Sequence, residues 1–189
     1  MKSDIEHFLY QFADLPSNII SVFENLVSYY ELNPLDFLVK TNEYPTDFFI
    51  IKTGIVRSFL QTENGKEATR ALFTPGQATG GASAMMKNCP SELNYQALTK
   101  VSGYKGSFLK LKELTLKHHE LSIFYIKILE DAYLKAENII LDISIHTAKE
   151  RYLILKKRIP DIDNLIAQKH IASYLNISPV QLSRIKKTL

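Results

Sequence analysis

Apolar residues recur every three to four positions over the first 30 residues of the chain, as they do on one face of a helix. Phe8 belongs to a first such segment, and Phe23 and Val27 belong to a second. Pro16 separates the two segments, and Ser17 follows it as a candidate helix cap. The pattern therefore predicts two short helices at the N-terminus.

From Glu31 to about Phe108 the pattern changes to short runs of apolar and β-branched residues separated by turn residues. All seven glycines lie between Gly54 and Gly106, so the tight turns are concentrated in this region. Asn64-Gly65 lies between two runs and is typical of a type I′ hairpin turn. The pattern predicts a small, jelly-roll-like β-roll. Its predicted strands are 37–39, 48–51, 55–60, 69–73, 95–98 and 103–108.

Helical spacing returns at Leu109 and continues to the end of the chain. A helix of about 25 residues, close to 40 Å long, is predicted from His119, and it carries an apolar seam spaced by three and four residues. We expect a second copy of the chain to cover this seam. The alternative is that the seam packs only on its own domain. The seam consists of Leu121, Tyr125, Ile128, Ala132, Ala136, Ile139 and Ile143.

The segment Thr147-Ala148-Lys149-Glu150 has the form of a capping box, which begins a new helix. The sequence therefore predicts a bend after His146, and Pro160 ends the helix that follows. The predicted fold is α+β. Its three regions are helices and β-roll (1–118), a long dimerisation helix (119–146) and a C-terminal helix-turn-helix domain (147–189).

The last 24 residues contain the apolar positions of two short helices that cross at a sharp angle. Asn176 lies where the turn needs a left-handed residue, and Ser178-Pro179 caps the second helix. The exposed side of that helix is basic and suits a DNA groove. The alternative is a helix pair that packs for structure alone. The candidate DNA contacts are Gln168, Lys169, Ser178, Pro179, Val180, Gln181, Arg184, Lys186 and Lys187.

The net charge of +3 conceals two opposite parts. Residues 1–146 carry 14 Lys and Arg against 17 Asp and Glu, whereas residues 147–189 carry 9 against 3. A basic C-terminal region of net charge +6 indicates a polyanionic partner such as nucleic acid, with a solvated lysine face as the alternative.

The order of these segments resembles the Crp/Fnr family of bacterial transcription regulators, from about Leu15 to Leu189. The resemblance places Arg184 on the arginine that reads guanine and Ser178 on the cap that contacts phosphate. Pro179 and Val180 stand at the other two base-reading positions, which puts the target sequence in doubt. The resemblance implies a dimer that binds a near-palindromic operator. Its partners would be double-stranded DNA, a second copy of the chain and RNA polymerase.

The effector pocket departs from the family pattern. Members that bind cyclic nucleotides carry a Gly-Glu pair and then an Arg-Ser or Arg-Thr pair, where this chain has Gly80-Gly81 and Ser91-Glu92. Because the charges that bind the ribose and the phosphate are missing, we expect no cyclic AMP and no other cofactor. The pocket positions are Gly80, Gly81, Ser83, Ser91 and Glu92, of which Gly80, Gly81 and Ser83 remain available to another anion.

Two other classes of function are alternatives to a DNA-binding regulator. A ligand-sensing roll that acts through protein partners would not bind duplex DNA. A cupin-like metalloenzyme would need histidines on the strands, and residues 31–108 contain none. The single Cys89 excludes a four-cysteine cluster. We therefore expect no enzyme activity and no metal, and the absence of a signal or membrane segment predicts a cytoplasmic protein.

Overall fold

The computed structural model describes residues 3–62, 64–65 and 67–189 as two antiparallel sheets with helices before and after them. The β-roll with flanking helices is thus confirmed. The strands are β1 (Val27–Leu32), β2 (Phe37–Val39), β3 (Asp47–Thr53), β4 (Val56–Gln61), β5 (Glu67–Phe73), β6 (Ala78–Thr79), β7 (Asn94–Ala97) and β8 (Val101–Ser107). The helices are α1 (Asp4–Tyr10), α2 (Ser17–Leu26), α3 (Ala82–Lys87), α4 (Phe108–Lys117), α5 (His119–Ile145), α6 (Ala148–Arg158), α7 (Ile162–Leu165), α8 (Gln168–Tyr174) and α9 (Pro179–Lys187).

The two four-stranded sheets have the strand orders β1-β8-β3-β6 and β2-β7-β4-β5. Ile51, Val56 and Tyr95 belong to the buried apolar cluster formed by strands of both sheets. Strand β4 pairs with β7 on one side and with β5 on the other, so β5 lies at the edge of its sheet. An edge strand leaves backbone N–H and C=O groups that need partners from elsewhere in the chain.

Three strand and turn details differ from the sequence prediction. Val27 starts β1 instead of continuing α2, because the β-branched and aromatic residues of 27–32 pair with β8. The short elements β6 and α3 were not predicted. The hairpin between β4 and β5 is present, but its loop is longer than a two-residue type I′ turn. Within it the Gly65 N–H donates to the Thr62 carbonyl, and residues 63 and 66 lie outside the described part.

The N-terminal helices cover the start of α5 with an aromatic cluster. Phe124 lies edge-on to Phe8 and to Phe23, with ring centroids 6.2 and 5.5 Å apart. Leu121 is 0% exposed in the same cluster, and Tyr125 and Ile128 pack against it. All three residues were predicted to face a second copy of the chain; Leu121 is fully buried and cannot do so, whereas Tyr125 and Ile128 remain half-buried, and their place in the seam stays a prediction. Leu121 completes the core of its own chain because α1, α2 and α4 surround this part of α5.

Beyond residue 128 the helix α5 is mostly exposed, including large apolar side chains. Of the predicted seam, Ala132, Ala136 and Ile143 are exposed and Ile139 is half-buried. Another row has the regular alternation of three and four residues that defines a heptad seam. This row, the α5 stripe, consists of Ile126, Leu129, Tyr133, Ala136, Ile140 and Ile143.

The C-terminal helices begin where the sequence predicts. Thr147 caps α6, accepting a hydrogen bond from the Glu150 N–H, and Glu150 accepts one from the Thr147 N–H. The predicted apolar positions of α8 and α9 form a buried core, but Ile55 and Leu72 of the roll belong to the same core. The 147–189 region is therefore packed against the roll, and it is not a separate body joined to it by α5 alone.

Candidate nucleic-acid interface and effector cavity

Helices α8 and α9 are joined by a turn over residues 175–178. Asn176 has a φ of +56°, the left-handed conformation predicted for this turn. The Ser178 hydroxyl accepts a hydrogen bond from the Gln181 N–H (3.2 Å), and Gln181 Oε1 accepts one from the Ser178 N–H (2.9 Å). Pro179 follows in the first turn, where no N–H is needed. The start of α9 is fixed by this cap.

One side of α9 is buried and the other is open to solvent. Leu182 is 0% exposed, whereas Val180 is 62% exposed. Arg184 and Lys187 are also exposed, and neither has an acidic partner among the described residues. Six of the predicted DNA contacts are therefore on accessible surface: Ser178, Pro179, Val180, Gln181, Arg184 and Lys187. The Ser178 and Gln181 side chains already form a hydrogen bond with each other.

Lys186 differs from the other predicted contacts. Its Nζ donates to Oδ1 of Asp163 at 2.9 Å, and the other oxygen of that carboxylate accepts from the Tyr152 hydroxyl. Burial alone would raise the pKa of Asp163, but the bonds from Tyr152 and Lys186 hold it below its ordinary value. Lys186 thus braces α9 against α6 and α7, and its ammonium group is not free for a phosphate in this conformation.

The first turn of α8 is exposed and the rest of this helix faces the roll. Gln168 and Lys169 are open to solvent, as predicted for DNA contacts, whereas His170 is 6% exposed. The Ser173 hydroxyl accepts a hydrogen bond from the Thr69 N–H (2.9 Å) and donates one to the Glu67 carbonyl (3.2 Å). Helix α8 therefore satisfies two backbone groups of the edge strand β5.

A buried arginine of β4 completes this contact. Arg57 is 3% exposed, and its Nε and Nη2 donate to Oε1 of Gln96 at 3.1 and 2.7 Å. Its Nη1 lies 2.6 Å from Oε2 of Glu67 and 3.0 Å from Nδ1 of His170. The guanidinium also lies 3.7 Å above the ring of Phe59. A buried charge is costly without partners, and here they come from β4, β5, β7 and α8.

The titration of two groups reflects this arrangement. Burial lowers the pKa of His170 to about 4, and the nearby Arg57 and Lys169 charges act in the same direction. The hydrogen bond from Arg57 holds the pKa of Glu67 below its ordinary value. At pH 7 the imidazole is therefore neutral, and its Nδ1 accepts a hydrogen bond from Nη1 of Arg57. We name this the β5–α8 contact; it consists of Arg57, Glu67, Thr69, His170 and Ser173.

The sequence did not predict the β5–α8 contact. Arg57 and His170 are 113 positions apart, and neither belongs to a motif. The one signal was that Arg57 is a charged residue within the predicted strand 55–60, in which the residues apart from Arg57 and Ser58 are apolar. Such a residue requires a partner, but the pattern does not identify it.

A cavity of about 290 Å³ lies at the predicted effector pocket. Of the predicted residues, Ser83, Ser91 and Glu92 line it, while Gly80 and Gly81 shape the backbone before α3 with φ values of +128° and +79°. The Ser91 hydroxyl already donates to the Leu93 carbonyl at 2.7 Å. The expected binding surface is therefore only partly assembled from the predicted residues.

Two cations that the sequence reading did not select line the same cavity. Arg70 lies on β5 and Lys87 ends α3; both are exposed, and neither has an acidic partner in the described ranges. Arg70 was visible within the predicted strand 69–73, but only the fold brings that strand beside α3. The absence of cyclic AMP binding stays a prediction.

Two kinds of feature are absent from the described part of the chain. Among residues 3–62, 64–65 and 67–189, no group of three or more His, Cys, Asp or Glu side chains is placed to hold a metal ion. None of the described helices combines the length and apolar character needed to cross a membrane.

Comparisons with known proteins agree with this architecture. The family model of the cyclic nucleotide-binding domain matches residues 31–114. No curated protein is significantly similar to the chain in sequence.

Among solved structures, FixK2 from Bradyrhizobium japonicum is 17% identical with a TM-score of 0.74, covering 86% of this chain and 84% of its own. The c-di-GMP responsive global regulator CLP from Xanthomonas campestris is 13% identical with a TM-score of 0.69, covering 92% and 91%. A putative crp/fnr-family regulator from Eubacterium rectale is 13% identical with a TM-score of 0.71, covering 95% and 85%. Residues 31–114 therefore match the cyclic nucleotide-binding domain family, and the chain shares its overall fold with regulators of the crp/fnr family.

Proposed function

We propose that this protein is a DNA-binding transcription regulator that acts as a homodimer. The observation that carries the proposal is the capped and exposed helix α9, on which Arg184 and Lys187 have no acidic partner among the described residues. Gln168 and Lys169 add a second exposed polar point at the start of α8. In a helix-turn-helix unit the second helix enters the major groove and the first crosses the phosphate backbone.

The chemistry of the exposed residues suits a division of labour on DNA. The planar guanidinium of Arg184 can donate two parallel hydrogen bonds to O6 and N7 of a guanine. Lys169 and Lys187 neutralise phosphates, which gives affinity without sequence preference. The net charge of +6 over residues 147–189 supports an anionic partner of this kind.

The α5 stripe supports dimerisation. Tyr133 is 67% exposed, Ile140 is 65% exposed and Ile143 is 58% exposed, which is costly for side chains of this size along one helix. A second α5 packed on the stripe removes them from water. Two α9 helices held about 34 Å apart then read a near-palindromic site in successive major grooves.

Selection from a random pool of duplexes tests the proposal. A two-fold symmetric consensus is expected, and Arg184→Ala should weaken binding to it by about 1–3 kcal/mol and relax the preference at one position. Lys110→Ala, which removes one exposed cation of α4, is the matched control and should leave the affinity unchanged. If no sequence is enriched, or if Arg184→Ala binds like the control, then α9 does not read DNA. A sensing roll with protein partners becomes the better explanation in that case.

A further inference from the structure

Several polar side chains of α9 are already engaged within the chain. Gln181 Oε1 accepts hydrogen bonds from the Ser178 N–H at 2.9 Å and from the Ser178 hydroxyl at 3.1 Å. A glutamine reads adenine through its oxygen and its amide nitrogen together. Gln181 therefore holds the helix cap and does not offer that pair of bonds, and Lys186 is held by Asp163.

The other exposed residues of α9 are Pro179, Val180, Ser183, Arg184 and Lys187. Val180 is an apolar residue in the first turn and is 62% exposed. Among the described residues of α9, Leu182 and Ile185 make the contacts with the C-terminal core. A valine within a helix occupies essentially one χ1 rotamer, so its two methyl groups have a defined position before a partner binds. Val180 is therefore available to a partner, and the group that it suits is apolar.

We infer that Val180 reads the 5-methyl group of a thymine, and that Arg184 reads a guanine within about two base pairs of it. The inference rests on the proposed function, because it specifies which bases the exposed face of α9 recognises in the major groove.

Thymine is the base that matches an apolar side chain. Of the groups that distinguish base pairs in the major groove, the thymine C5-methyl is the apolar one, and the others are hydrogen-bond donors and acceptors. The Val180 side chain has no donor or acceptor. Against a polar base edge it would displace water without replacing the hydrogen bonds, which is costly. Against a thymine methyl it removes apolar surface from water on both sides.

The spacing of Val180 and Arg184 limits the distance between the two bases. Residues four apart lie on the same face of a helix, separated by about 6 Å along its axis. Successive base pairs rise by about 3.4 Å. The thymine and the guanine are therefore expected no more than about two base pairs apart in each half-site.

Uracil substitution in the selected duplex tests the inference, because deoxyuridine lacks the 5-methyl group and keeps the hydrogen-bonding groups of thymine. One thymine position is changed at a time, in both half-sites, and the affinity of the full chain is measured. At the position that Val180 reads, the affinity should fall by about fourfold per half-site, the value for one buried methyl group. Thymines elsewhere in the duplex should tolerate the change.

Val180→Ala identifies the side chain that reads the methyl group, and an exposed residue is not expected to affect folding when it is shortened. This variant should bind the thymine duplex more weakly than the parent and distinguish it from the uracil duplex by less than about twofold. Leu109→Ala shortens a residue of α4 that is 68% exposed, and this matched control should keep the discrimination of the parent.

Three results would overturn the inference and leave the proposed function standing. They are a selected site without a thymine within about two base pairs of the guanine, a site at which uracil has no effect, and a Val180→Ala variant that discriminates like the parent. If the selection enriches no duplex at all, the proposed function itself fails, and the inference fails with it.

Discussion

Replacing His170 by glutamine should flatten the acid dependence of folding stability. The imidazole has a pKa of about 4 in the folded chain, against an ordinary value of 6.5. Between these values the unfolded chain binds a proton that the folded chain does not, so stability falls as the pH falls. Since one pKa unit is worth about 1.4 kcal/mol, the loss on going from above pH 6.5 to about pH 4 is about 3 kcal/mol.

The largest part of the cost is the removal of a charged imidazole from water, since His170 is buried, and charge repulsion adds to it. An imidazolium at this position would place a positive charge against Nη1 of Arg57, which now donates to Nδ1 of His170 at 3.0 Å. Lys169 adds to the repulsion and the Glu67 carboxylate opposes it only in part. The glutamine of His170→Gln offers Arg57 an amide oxygen instead, and it does not titrate.

Denaturant-induced unfolding at several pH values between 7.5 and about 4 provides the measurement. The parent should lose about 3 kcal/mol more than His170→Gln over this range, while carboxylates common to both chains cancel in the difference. Parallel stability curves for the two proteins would refute the proposed burial of a neutral His170 against Arg57.

Two further predictions separate core from surface and test the closest backbone approach. Ile140→Asp should shift the chain from dimer to monomer in sedimentation. Leu121→Ala should lower the free energy of unfolding by about 2–5 kcal/mol and leave the dimer association constant unchanged. If Leu121→Ala instead weakened the dimer and Ile140→Asp did not, Leu121 would belong to the dimer seam. Gly103→Ala should destabilise by about 3 kcal/mol or more in thermal unfolding, because a β-carbon there overlaps the Ile50 carbonyl oxygen. Gly65→Ala has open space and should cost only about 1 kcal/mol for its positive φ, so equal effects would contradict the clash.

Local patterns determined the parts of this protein whose cause lies within a few residues. The Thr147 and Ser178 caps, the left-handed Asn176 and the apolar positions of α8 and α9 are all present where the sequence predicts them. Capping bonds join residues three apart, and helix faces follow from a fixed period, so both are visible in the sequence. The exposed basic residues of α9 were accessible to the same reasoning.

The tertiary structure decided everything that depends on residues far apart in the chain. Leu121 and Ile140 look alike in the sequence, but one is enclosed by α1, α2 and α4 and the other is exposed. The sequence contains Arg57, Arg70 and His170 without showing that β5 lies between the cavity and α8. Burial and charge pairing depend on which surfaces meet on folding, and the spacing of apolar residues along the sequence does not specify those surfaces.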